Sequence, residues 1–166
     1  VLTEEAKGNH RLVETKDGYT EYRLGVGKYN KINHRHFITL VRSVVQAAIS
    51  HKVEHLAVEF PTSKFIKLES YGAEWIYSTV AENIFLAAYK FDKYKTGKKD
   101  NKSLKEVMIC GEMNQKAKAG FKRGLIVGEY VNKARDIANT PRDDMTPVAL
   151  AAEAQKIAKE QKSTSR

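Results

Sequence analysis

The fourteen residues ARDIANTPRDDMTP, 134–147, constrain the architecture most, because a helix end, a proline-broken extended linker and a new helix start follow one another without a gap. Pro141 supplies no backbone donor and biases the residue before it toward extended geometry, so a helix arriving at Ala138 stops there. Thr146 then offers a capping oxygen, and Pro147 suits a first helical position, where a missing N–H costs nothing. The segment reads as a junction that divides the chain into a domain over residues 1–132 and a linker with the start of a second unit over 133–166.

Upstream, short apolar segments alternate with helical patterns. Leu12 to Glu14 and Tyr19 to Leu24 read as strands around Lys16-Asp17-Gly18, a pair-containing turn that favours a tight hairpin. Phe37, Val41, Val44, Val45 and Ala48 recur at spacings of three and four, which predicts a helix from His34 to about Ser50 with one buried face. HLAVEF, 55–60, has strand length and ends at Pro61. A second helix is expected over 74–93, with Ile76, Val80, Ile84, Ala87 and Phe91 along one side and Trp75 and Tyr89 sealing its edges. LKEVMIC, 104–110, reads as another buried strand closed by Gly111.

A third helical pattern covers about 114–138 and carries Gly120, Gly124 and Gly128 at i, i+4 and i+8. Glycine costs about 1 kcal/mol relative to alanine at a helical position. Three in register therefore point to a neighbouring backbone at close approach, or to a helix that begins only after Gly124. The last helix starts at Pro147 and is expected to run to about Gln161. Helices alternating with short strands indicate an α/β domain, a layered mixed sheet flanked by helices, the mixture arising from the opening hairpin.

Composition narrows function. An apolar fraction of 42% with 30% charged residues is globular, and no apolar run approaches the ~20 residues that cross a bilayer. The first residues contain no apolar core of a secretory signal, and Val1 stands where an initiator Met would, which suggests a processed start. The single cysteine, Cys110, excludes an internal disulfide framework and fits a reducing compartment, so a cytoplasmic location is expected.

The formal net charge is +9, and its distribution matters more than its size. Lys90, Lys93, Lys95, Lys98, Lys99, Lys102 and Lys105 fall within sixteen residues against Asp92 and Asp100 only. A solvated loop beside a helix end accounts for this run. The alternative is a nucleic-acid contact made by these seven lysines, extended by Lys116, Lys118, Lys122 and Arg123, although lysine lacks the bidentate fork of arginine.

Other candidate chemistry is thin. His34 with His36, and His51 with His55, have metal-ligand spacing but no third ligand at a recognisable distance, and HExxH is absent. Cys110 ends an apolar strand and reads as a small hydrophobe, and no GxSxG elbow occurs. Gly25-Val26-Gly27-Lys28 fits neither phosphate-loop spacing and reads as a strand-to-helix turn. Asp143 and Asp144 precede a helix, where acids favour the N-terminal dipole.

Three elements carry a resemblance: RLGVGK at 23–28, Tyr89-Lys90-Phe91-Asp92 with Tyr94-Lys95, and Arg135-Asp136 through Asn139, Pro141 and Pro147. From about Leu24 to Glu160 the chain resembles the leucyl (cytosol) aminopeptidases, the M17 metallopeptidases, where their N-terminal domain hands over to the catalytic domain. The resemblance implies a macro-like N-terminal α/β fold and a hexamer of two stacked trimers. It also implies a peptidase site elsewhere in the parent, with two divalent metals (zinc, manganese or magnesium) held by lysine, aspartate and glutamate. None of those ligands carries over, because the family's NTDAEGR signature does not occur in these 166 residues. No catalytic, cofactor-binding or metal residue is therefore assigned to this chain. Its expected partners are its own catalytic domain, further copies of itself and, through the parent, peptide substrates; some bacterial members also bind DNA.

Overall fold

The computed structural model describes residues 1–8, 10–14, 20–96 and 104–164, and the side chains of 10–14 and 161–164 are not part of that description. The elements follow as β1 (Leu2–Thr3), β2 (His10–Glu14), β3 (Thr20–Gly25), α1 (His34–Ser50), β4 (His55–Val58), α2 (Gly72–Ala88), β5 (Glu106–Ile109), α3 (Gln115–Asn139) and α4 (Pro147–Thr164).

The hairpin strands pair antiparallel with Leu12 opposite Tyr22, while the hairpin turn lies outside the described residues. β1 joins β3 in parallel, giving the order β1-β3-β2. β4 and β5 form a separate parallel pair with Leu56 opposite Val107. The expected single mixed sheet is thus two small sheets, and the helices dominate. β1 pairs over two residues only, and among the described residues no strand pairs with the free edge of β4.

α1 forms as its apolar spacing requires. The Asn33 side chain accepts the His36 N–H at 3.0 Å and caps its start. Phe37, Val41 and Val45 are fully buried on its inner face. Phe65 and Leu68 complete the core from two consecutive 3-10 turns, Thr62–Lys64 and Ile66–Tyr71. The Phe37 ring meets Phe60 at 5.9 Å and Phe65 at 5.7 Å, distances at which aromatic edges and faces attract. Across the α1–α2 contact, Arg42 donates to the buried Asn83 at 2.7 Å, and Asn83 donates to the Thr79 carbonyl at 2.9 Å.

The three glycines lie within α3 and face α2, which settles the reading left open by the sequence. A methyl at Gly120 would lie 2.0 Å from the Glu74 carbonyl oxygen, and one at Gly124 2.2 Å from that of Ser78. The helix backbones therefore touch where a Cβ would keep them apart. α2 ends at Ala88, five residues short of the expected end, because Tyr89 turns to extended geometry (φ −61°, ψ 131°). Side chains of neighbouring helices take its last carbonyls: Gln46 donates to Ala87 O at 2.6 Å, Asn132 to Phe85 O at 3.0 Å and Arg135 to Leu86 O at 3.2 Å.

Candidate functional site at the helix junction

The motif residues of 89–95 and 135–147 converge where α2 ends, α3 ends and α4 begins. Tyr89, freed from the helix, donates its hydroxyl to Asp136 at 2.9 Å and receives an N–H from Asn139 at 3.1 Å. Arg135, already holding Leu86 O, lies over the Tyr89 ring at 5.4 Å. The chain then turns at Pro141, whose carbonyl accepts the N–H groups of Asp144 and Met145 at 3.0 and 2.9 Å. Tyr94 packs on Phe91 and donates to the Asp144 carboxylate. Asp144 is thereby a tie between segments rather than a helix cap. Thr146 accepts the Ala149 N–H at 3.3 Å, the expected cap.

Lys133 fastens α4 back onto α3, reaching Glu129 on its own helix at 3.0 Å and Glu160 at 2.9 Å. Sequence reading missed this bridge; the i,i+4 spacing of Glu129 and Lys133 was a visible signal, but the partnership with Glu160 exists only once α4 folds back.

The ionisable groups respond to these contacts. Hydrogen bonds donated to Glu160 and Glu129 hold the Lys133 ammonium well above the usual lysine range, and the hydrogen bond accepted from Lys133 holds the Glu160 carboxyl below the usual carboxylate range. The hydrogen bond to Asp144, aided by burial, pushes the Tyr94 phenol up, and burial pushes the Tyr89 phenol up. A depressed carboxyl stabilises above its unfolded pKa and loses that contribution as pH falls through the folded value; a raised ammonium loses its contribution only as pH rises. We expect amide hydrogen exchange in α4 to quicken as pH falls through the carboxylate range, after correction for intrinsic exchange. In a Glu160→Gln variant that acid-dependent step should be absent.

The lysines of the basic run do not present one free cationic surface among the described residues. Lys95 pairs with Asp92 at 2.5 Å, Lys105 with Glu54 at 2.6 Å, and Lys93 lies over the Tyr94 ring at 5.3 Å. Lys90 is exposed, and Lys98, Lys99 and Lys102 lie outside the described residues.

The histidines do not converge. His34 lies beside Tyr71, the His51 ring faces Tyr22 at 5.1 Å, and His55 meets Glu106 at 3.2 Å. Cys110 is a half-buried free thiol. Among the described residues no group of three or more His, Cys, Asp or Glu side chains could hold a metal ion. The two-metal centre implied by the family resemblance therefore does not fit these residues, and no step of a metal-dependent reaction is assigned to them.

Comparison with known proteins places the chain in a family. Residues 22–98 match the N-terminal domain of the cytosol aminopeptidase family. A probable cytosol aminopeptidase of Aquifex aeolicus is 33% identical over 140 residues, which are 84% of this chain and 26% of that protein. The chain belongs to the cytosol aminopeptidase family. A probable cytosol aminopeptidase of Bdellovibrio bacteriovorus is likewise 33% identical, over 82% of this chain and 27% of its own length. Thus this cytosol aminopeptidase N-terminal region spans only about a quarter of the curated relatives it matches.

Solved structures share the fold. Tomato leucine aminopeptidase superposes with a TM-score of 0.75 at 22% identity, covering 93% of this chain and 30% of that one. The bottromycin maturation enzyme BotP, solved in complex with Mn, gives 0.70 at 20% identity, covering 93% and 31%. No described helix is long and apolar enough to cross a membrane.

Proposed function

We propose that this chain is the non-catalytic N-terminal domain of a metal-dependent leucyl aminopeptidase, together with the first helix of the catalytic domain. The parent enzyme releases N-terminal amino acids from peptides in the cytoplasm, using two divalent metals held by residues outside this chain. In this reading residues 1–132 form a macro-like domain and 133–166 lead into the catalytic domain, and the N-terminal domain supports a homo-hexamer and shapes access to the catalytic sites.

The observation that carries this reading is the junction itself. Tyr89, Tyr94, Asp136, Asn139 and Asp144 spend their polar groups on one another, fixing the direction in which α4 leaves α3. Such an arrangement suits the orientation of a following domain. Purified chain mixed with Mn²⁺ and leucine-p-nitroanilide should give no turnover above metal alone. Turnover that co-purifies with the folded chain would overturn the reading.

The paired states of Lys95 and Lys105 favour this role over a nucleic-acid contact by the basic run. Fluorescence anisotropy with a labelled 20-base-pair duplex discriminates the two. Binding by the lysine run would weaken steeply with added salt; the present reading expects no saturable binding even at low ionic strength.

A further inference from the structure

We propose that the groove on the Trp75 side of the α2–α3 contact binds a small zwitterion with an apolar side chain, of amino-acid to dipeptide size. Its cavity measures about 470 Å³, within the range of small-molecule sites. The groove is separate from the peptidase centre that the proposed function places outside this chain, so either reading can fail without the other.

The helix contact fixes the two walls. As α3 advances from Gly120 to Gly124, an added methyl would meet first the Glu74 and then the Ser78 carbonyl oxygen, at 2.0 and 2.2 Å, so the helices run side by side in the same direction. Trp75, Ser78, Thr79 and Glu82 stand at i, i+3, i+4 and i+7 of α2 and share one face, with Glu74 at its end. Arg123 and Val127, each one residue ahead of a contact glycine, form the opposite wall. Glu74 and Glu82 are about 12 Å apart along the helix axis, and a dipeptide spans at most about 7 Å.

The polar groups of this groove are uncommitted. Thr39, Ser43 and Thr140 donate their hydroxyls to carbonyls one helical turn back, as helical serines and threonines commonly do. Ser78 and Thr79 do not: neither hydroxyl has a hydrogen-bond partner among the described residues, and Thr79 is only 6% exposed. A buried hydroxyl without a partner is destabilising, and a ligand that supplies the partner removes that penalty. Glu74, Glu82 and Arg123 make no ion pair among the described residues, whereas Lys95, Lys105 and Lys133 each lie on a carboxylate.

These groups select the class of ligand. The glutamates of one wall accept from an ammonium, and the Arg123 guanidinium opposite them donates to a carboxylate. Walls of opposite charge suit a molecule that carries both signs and disfavour one that carries a single sign. Trp75, its ring 4.5 Å from that of Tyr71 and 6.4 Å from that of Phe37, joins Val127 as an apolar surface for a side chain. The Ser78 and Thr79 hydroxyls remain to donate to peptide or carboxylate oxygens.

Trp75 is the single tryptophan of the chain, so its emission reports on the groove. Titration of the whole chain with L-leucyl-L-leucine at low ionic strength should give a saturable change of one-to-one stoichiometry. The N-acetylated dipeptide, which lacks the ammonium, and the dipeptide amide, which lacks the carboxylate, should each bind at least tenfold more weakly. In an Arg123→Ala variant of unchanged circular dichroism the dipeptide and its amide should bind alike, and in a Glu74→Gln/Glu82→Gln variant so should the dipeptide and its N-acetylated form. No saturable change with the dipeptide, blocked forms that bind as tightly as the dipeptide, or variants that keep the discrimination would each overturn the proposal.

Discussion

A Gly120→Ala substitution should destabilise the chain by roughly 3 kcal/mol or more, although the same change in an open helix interior gains about 1 kcal/mol. The sign reverses because the added methyl would lie 2.0 Å from the Glu74 carbonyl oxygen, a backbone atom that no side-chain rotation can move away. α2 and α3 must separate, and the capping of the α2 carbonyls by Asn132 and Arg135 weakens with them. Gly128→Ala should be milder, since its nearest neighbour is the Phe85 Cβ at 2.7 Å and the nearest carbonyl is 3.2 Å away. Urea titrations of the two variants beside the parent chain give the comparison. A Gly120→Ala protein as stable as the parent would mean that the helices do not touch as described.

Phe37→Ala should cost about 3–5 kcal/mol, the range for removing a large aromatic side chain from a closed core. Phe37 is fully buried, and Phe60, Phe65 and Trp75 all approach its ring, the last at 6.4 Å. Its removal takes support at once from α1, from the segment after β4 and from the start of α2. Small domains retain only about 5–15 kcal/mol of net stability, so this one change consumes a large share. Thermal unfolding followed by circular dichroism should show a strongly lowered midpoint. A shift comparable to that of an exposed substitution such as Lys116→Ala would contradict the placement of the core.

How much of this was legible depended on whether the information was local. The span of α1 follows from apolar residues three and four apart, and the structure returns His34–Ser50. Pro141 and Thr146-Pro147 likewise placed the break between α3 and α4. The end of α2 was not local, because the 89–93 segment keeps a helical apolar spacing through Phe91, and the stop is imposed by side chains from α1 and α3. Phe65 and Leu68 escaped notice for a related reason: 3-10 turns give no sustained period, so two fully buried residues look like loop.

At the junction, residue types were legible and pairings were not. Tyr89, Tyr94, Asp136 and Asn139 stood out in sequence as motif residues, yet tyrosine to aspartate bonds across some fifty positions carry no periodic signature. The lysine run shows the converse. Its density suggested a shared purpose, but Lys105 pairs with Glu54, on the strand-entry segment beside it, and Lys95 with Asp92 three residues away.

The most direct test of the central claim is the intact mass of the protein from its natural source, read with its full open reading frame. The account expects a polypeptide several times the length of these 166 residues, with NTDAEGR or a close equivalent downstream of Arg166. A mature protein that ends near Arg166, with no downstream metal-binding segment, would contradict it and make the chain a binding domain in its own right.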